Sequence, residues 1–165
     1  ARCVTGQEEP SGNPAAKLKF LIINGPNLNL LGLREPGIYG KSTYADLIAL
    51  LQKTCDEEGI QAAFFQSNHE GAIVDAIQAA RLDCDGIIIN PAAYTHTSVA
   101  ILDALKAVAL PAMEVHISDV KSREPFRQIS YAGMACVGTY MGMGFDGYVQ
   151  AIRDLKRFVL KEERK

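Results

Sequence analysis

The chain has three histidines, His69, His96 and His116, and each falls at or just after the end of a short apolar run. If those runs are strands of one sheet, three separate loops carry imidazoles to a single edge. That edge is then either a proton-transfer site or a set of unrelated polar loop residues. The fourth apolar run of the chain ends Glu114-Val115-His116, and strand alternation points Glu114 and His116 to the same side. A carboxylate beside an imidazole orients the ring, fixes its tautomer and favours its protonated form, as a proton donor near neutral pH requires. An ordinary salt bridge at a strand end is compatible with the same three residues.

The loop Asn90-Pro91-Ala92-Ala93-Tyr94-Thr95-His96-Thr97-Ser98 adds an amide, hydroxyls and an imidazole just before a predicted helix N-terminus. Backbone N–H groups there favour a carboxylate or phosphate, although Thr97 or Ser98 also suits a simple helix cap. Ile117 and Ser118, directly after His116, could add two backbone donors for the same anion. The loop after the first apolar run carries Asn27, Arg34 and Tyr39 among Gly25, Gly32, Gly37 and Gly40. A guanidinium near a phenol favours phenolate, and bringing a tyrosine from about 10 to about 7 takes roughly 4 kcal/mol. Arg123 and Arg127, four apart on a predicted short helix, either add positive charge to the site or face solvent.

Positioning these residues falls to an alternation of apolar runs and helical patterns. Phe20 to Ile23, Ile60 to Gln66, Gly86 to Asn90, Pro111 to Val115 and Met134 to Val137 read as strands. Between them, helices are predicted from Thr43 (capped through Asp46) to Gly59, from about Ala72 to Leu82, and from about Ser98 to Val108. Tyr148, Ile152, Leu155 and Val159 give a last helix its apolar face. The expected fold is α/β, a flavodoxin-like doubly wound sandwich with a five-stranded parallel sheet, whose strand-to-helix loops share the carboxyl edge. Gly142, Gly144 and Gly147 match GxGxxG, but at the last such turn no further strand remains to carry the acid of a dinucleotide site. They read as a tight turn and a close helix–sheet contact.

At 165 residues the chain suits one domain, divided here into an N-terminal tail of residues 1–17 and a catalytic domain of residues 18–165. Seventeen Lys and Arg against nineteen Asp and Glu give a net charge of −2, without the basic footprint of a nucleic-acid or anionic-membrane protein. No apolar run is long enough to span a bilayer. Four cysteines, Cys3, Cys55, Cys84 and Cys136, lack any CxxC pair and read as reduced thiols of a cytoplasmic protein, in neither a disulfide scaffold nor a metal site. The first residues show neither a signal-peptide nor a transit-peptide bias.

Taken together, the loops closely resemble type II 3-dehydroquinate dehydratase. The resemblance lies in Ile23-Asn24-Gly25-Pro26-Asn27-Leu28-Asn29-Leu30-Leu31-Gly32, Arg34-Glu35-Pro36, Tyr39-Gly40 and Gln66-Ser67-Asn68-His69-Glu70-Gly71. It continues through the Asn90 to Ser98 loop, Glu114 to Ser118 and Arg123 to Arg127, in order from about Lys19 to about Leu155. It implies a cofactor-free anti elimination of water from 3-dehydroquinate, through an enolate, in the shikimate pathway or quinate catabolism. By the same resemblance Tyr39 is the base, held as tyrosinate by Arg34, on a loop that closes over substrate. Asn27 stabilises the enolate through a water, and His116, oriented by Glu114, protonates the departing hydroxyl.

The resemblance further implies that Asn90, Ile117 and Ser118 hold the carboxylate, His96 and Arg127 the ring hydroxyls, and Arg123 a positive charge near the lid. Asp103 corresponds to an acid reaching a neighbouring subunit's site, in trimers that assemble into a dodecamer. Leu33 and Gly37 in the lid and Asp119 depart from the family's usual residues. A flavodoxin-like binding module without catalysis is the alternative, but the first loop holds Pro26 and four leucines where a phosphate loop would be rich in Ser, Thr and Gly. A phosphorelay receiver needs acids where Asn24 and Asn90 stand.

Overall fold

The computed structural model describes residues 17–33, 37 and 41–162. Arg34, Tyr39 and all but the last residue of the N-terminal stretch therefore lie outside the described residues. Five strands, β1 (Lys19–Asn24), β2 (Gln61–Gln66), β3 (Gly86–Asn90), β4 (Ala112–His116) and β5 (Gly138–Met141), form one sheet in the order β2-β1-β3-β4-β5. Every pairing is parallel. This is the flavodoxin-like order, with its topological switch between β1 and β3.

Helices α1 (Tyr44–Glu57), α2 (Glu70–Ala80), α3 (Val99–Val108) and α4 (Asp146–Glu162) connect or follow the strands. They cover both faces, which is why β3 can be the uninterrupted run Gly-Ile-Ile-Ile-Asn. Alternate residues of β1 go to opposite sides: Phe20 and Ile22 join Leu47, Leu51, Ile152 and Leu155 from α1 and α4. Leu21 and Ile23 join Ile73, Ile77, Ile101 and Leu105 from α2 and α3. Each such side chain contributes about 1.5–3 kcal/mol through removal from water.

Local signals set the helix ends. Thr43 Oγ1 accepts from the Asp46 N–H (3.2 Å) while Asp46 accepts from the Thr43 N–H (2.9 Å), closing the expected capping box of α1. Gly59, with φ of 68°, turns the chain out of it. Ser98 caps α3 by accepting from the Ile101 N–H at 2.9 Å.

Two expectations are corrected. The fifth strand is not Met134 to Val137: Ala132–Ala135 is a 3-10 turn, and the strand lies four residues later at Gly138–Met141. Met134 and Val137 are exposed, so their apolar character misleads. Alignment with β4 decides instead, because Gly138 pairs with Met113, whose sulfur would lie 3.1 Å from any added Cβ. Nor do Arg123 and Arg127 share one helix, since Arg123 follows the turn Val120–Ser122 and Arg127 closes the separate turn Pro125–Arg127. Pro125 starts that second turn, where a missing N–H costs nothing.

Candidate active site

A cleft opens on the carboxyl edge of the sheet at the switch point. It is lined from the loop after β1 by Asn27, from the β3 loop by Asn90 and His96, and from the β4 loop by His116, Ile117, Ser118, Arg123 and Arg127. Those eight residues are all among the expected site residues. Glu114 stands behind His116 and completes the pair. His69 precedes α2, is exposed and does not line the cleft, so two of the three histidines meet there. Asp103 is exposed on α3 and is not part of its own chain's cleft.

The loops approach one another closely because of specific backbone choices. Gly25 donates to the Asn90 carbonyl at 2.8 Å, and an added Cβ would lie 2.4 Å from the Pro91 oxygen, so only glycine permits this crossing of the β1 and β3 loops. Asn27 takes the left-handed conformation (φ 67°), which asparagine tolerates, and its N–H donates to Asn68 Oδ1 at 2.9 Å. The Tyr94 hydroxyl donates to the Asn68 carbonyl at 2.7 Å, tying the β3 loop to the same point. Gly142 and Gly144, both at positive φ, form the turn before α4 and donate to the carbonyls of Ser118 and Ile117. The glycine-rich motif thus acts as a turn, and it fixes the peptide planes beside His116.

Glu114 and His116 are almost wholly buried, and His116 Nε2 lies 3.1 Å from Glu114 Oε2. The carboxylate oxygen sits off the ring N–H direction, so the two groups are close without a well-directed hydrogen bond. With Nε2 turned to the carboxylate, Nδ1 is the ring nitrogen left for a ligand. Thr139 Oγ1 donates to Glu114 Oε1 at 2.9 Å, and Ser130 Oγ donates to Oε2. Burial pushes the Glu114 carboxyl up, but His116, Ser130 and Thr139 outweigh it and hold the group below the ordinary carboxylate range.

His96 Nδ1 lies 2.8 Å from the Ile129 carbonyl. A carbonyl only accepts, so Nδ1 carries the proton and neutral His96 has Nε2 free to accept from a ligand hydroxyl. Burial pushes His96 below its ordinary value; the Ile129 carbonyl opposes this, while His116 and Arg127 add to it. Arg127 pairs with Glu124 at 2.7 Å, and Arg123 Nε is 3.8 Å from the same carboxylate.

Asn90 belongs to a second buried network. Its Oδ1 accepts from the Ala92 N–H (3.1 Å), so its Nδ2 faces Tyr148 Oη (2.9 Å). Tyr148 then donates its own proton to Asn24 Oδ1 at 2.6 Å. Burial drives the Tyr148 hydroxyl well above the ordinary tyrosine value, keeping it neutral. Sequence reasoning gave no role to Tyr148, Ser130 or Thr139. Tyr148 carries the signal of a helix core residue, and the other two are polar residues in a loop and an edge strand.

Comparison with known proteins agrees with this geometry. The family described as Dehydroquinase class II matches residues 18–156. The chain is 56% identical over 142 residues to 3-dehydroquinate dehydratase 1 of Ralstonia nicotianae, covering 84% of this chain and 91% of that protein. It is 56% identical over 133 residues to Catabolic 3-dehydroquinase 1 of Aspergillus fumigatus, covering 81% and 89%. The crystal structure of type II dehydroquinase from Butyrivibrio crossotus superposes with a TM-score of 0.84 at 49% identity, covering 85% of this chain and 98% of that one. With matches of this extent running through every loop that builds the cleft, the chain belongs to the class II dehydroquinase family.

Proposed function

We propose that the protein dehydrates 3-dehydroquinate to 3-dehydroshikimate, with His116 as the proton donor to the leaving hydroxyl. The observation that carries this reading is the Glu114–His116 pair, buried behind a polar cleft at the switch point of a chain in this family. Tyr39, with Arg34 holding its negative charge, removes the C2 proton. The electrons of that C–H bond form the enolate, whose charge Asn27 stabilises through a water. Collapse of the enolate forms the new carbon–carbon double bond and breaks the C1–oxygen bond. The hydroxyl takes a proton from His116 and leaves as water.

The substrate carboxylate rests on Asn90, Ile117 and Ser118, beside the turn that pins the last two. His96 accepts from a ring hydroxyl through Nε2, Arg127 contacts a second, and Arg123 adds positive charge near the lid. Asp103, exposed on α3, serves the cleft of a neighbouring copy in a trimer, four of which build a dodecamer. Sedimentation of the purified chain tests that assembly.

The reaction is tested by following the ultraviolet absorbance of the conjugated enone when 3-dehydroquinate meets the purified protein. Growth that survives EDTA and borohydride is the expected result. Folded protein that gives no growth would overturn the reading. Tyr39→Phe should abolish most turnover while leaving much of the ligand binding, and near-wild-type turnover would remove Tyr39 from its role.

A further inference from the structure

We propose that Ser130 and Thr139 are positioning residues for the proton donor, holding Glu114 ionised and aimed at His116 from outside the cleft. This deepens the reading of His116 as the acid of the dehydration and rests on it. Neither hydroxyl lines the cleft, so neither acts on substrate directly.

The direction of the Ser130 hydroxyl is determined by its surroundings. Ser130 Oγ accepts from the Gly133 N–H at 3.0 Å, which leaves its own proton for Glu114 Oε2. Thr139 stands opposite Glu114 in the β4–β5 register and gives its proton to Oε1. Both carboxylate oxygens thus receive an O–H donor, an arrangement that favours the ionised form. The same Oε2 that Ser130 binds is the oxygen facing His116.

The segment bearing Ser130 is held in place for this purpose. Tyr131 donates to the Thr95 carbonyl at 2.9 Å, tying it to the β3 loop. Gly133 lets it lie directly against the carboxylate, since an added Cβ would be 2.8 Å from Glu114 Oε1 and 2.9 Å from Ser130 Oγ. The other titratable groups facing Glu114 are His96, from the β3 loop, and Cys136, before β5. Burial favours neutral His96, and it pushes the Cys136 thiol up to about 12, so neither supplies a lasting countercharge. Arg127 acts on His96 from beyond it. The two hydroxyls therefore join His116 as the fixed partners that keep Glu114 charged.

The test compares Ser130→Ala, Thr139→Val and Thr139→Ser with the wild-type enzyme in kcat, KM and the pH dependence of kcat. Without a hydroxyl donor Glu114 binds its proton more readily, so the acidic limb of kcat should move to higher pH by about one unit. At neutral pH kcat should fall roughly tenfold with KM within about twofold, an effect the size of one charge-assisted hydrogen bond. Thr139→Ser should restore both. Thr139→Val, near wild-type size and suited to a strand, decides the matter if Ser130→Ala does not fold. A folded Thr139→Val enzyme with the wild-type pH profile, or with raised KM and unchanged kcat, overturns the proposal. If His116→Gln turns over at the wild-type rate, the assignment of the acid itself has failed, and the role of both hydroxyls falls with it.

Discussion

Two buried polar networks flank the same sheet edge, and they differ in one respect. Around Asn24, Tyr148 and Asn90 every member is neutral, and each hydrogen bond has its direction set by the next. Around Glu114, Ser130, Thr139 and His116 the central group is an acid held below its ordinary range in a nearly dry setting. A neutral network can hold loops in register without changing state. A charged one costs more to bury, and it is useful where a proton must be given up. In the proposed reaction the β1–β3 crossing supplies shape and the β4 edge supplies chemistry.

Removing the proposed acid should break the comparison most visibly. His116→Gln should lower kcat by roughly 10²- to 10⁴-fold, the usual contribution of a positioned general acid. Its melting temperature should stay near wild type, because the glutamine amide can still face Glu114. A melting curve alongside the enone assay checks both halves.

The neutral network should answer in the opposite way. Tyr148→Phe leaves Asn24 Oδ1 and Asn90 Nδ2 without their buried partner, a loss of about 2–4 kcal/mol in chemical denaturation. Effects on turnover should enter through KM by way of Asn90, with kcat within a few-fold. A kcat loss as large as that of His116→Gln would show that the two networks do not divide the labour.

The charge difference also predicts a pH signature. Glu114 is depressed in the folded state relative to its ordinary value of 4.5. Its stabilisation is therefore complete above the unfolded value and is lost as pH falls through the folded one. Glu114→Gln removes that share, and its amide offers a single acceptor oxygen to the two hydroxyl donors, Ser130 and Thr139. Melting temperatures of wild type and Glu114→Gln should differ most near neutral pH and converge on acidification below about 4.5. Glu58, paired with Lys156 and Arg153, keeps its own acid dependence in both proteins.

The smallest effect should come from a polar contact outside both networks. Ser98→Ala removes the α3 cap to the Ile101 N–H, worth about 1 kcal/mol, with the pH profile of kcat unmoved. A shifted profile would mean that the cap reaches the site after all.

Much of this molecule was legible in its sequence because the relevant physics is local. Short apolar runs and period-3.6 patterns mark the first four strands and every helix they precede, and Thr43 with Asp46 and Gly59 mark the ends of α1. The spacing of Glu114 and His116 already put them on one side of a strand. The reach of sequence ended where partners far apart in the chain decide the outcome. Strand β5 is half-polar and is set by the Met113 and Glu114 pairings, while the more apolar Met134 and Val137 stay outside it. Ser130 and Thr139 look like surface residues until the sheet brings them 16 and 25 positions back to Glu114. Tyr148 looks like core until its hydroxyl is found 124 residues from Asn24. Side-chain periodicity is written into the chain, but the direction of a buried hydrogen bond exists only once the fold has chosen both of its ends.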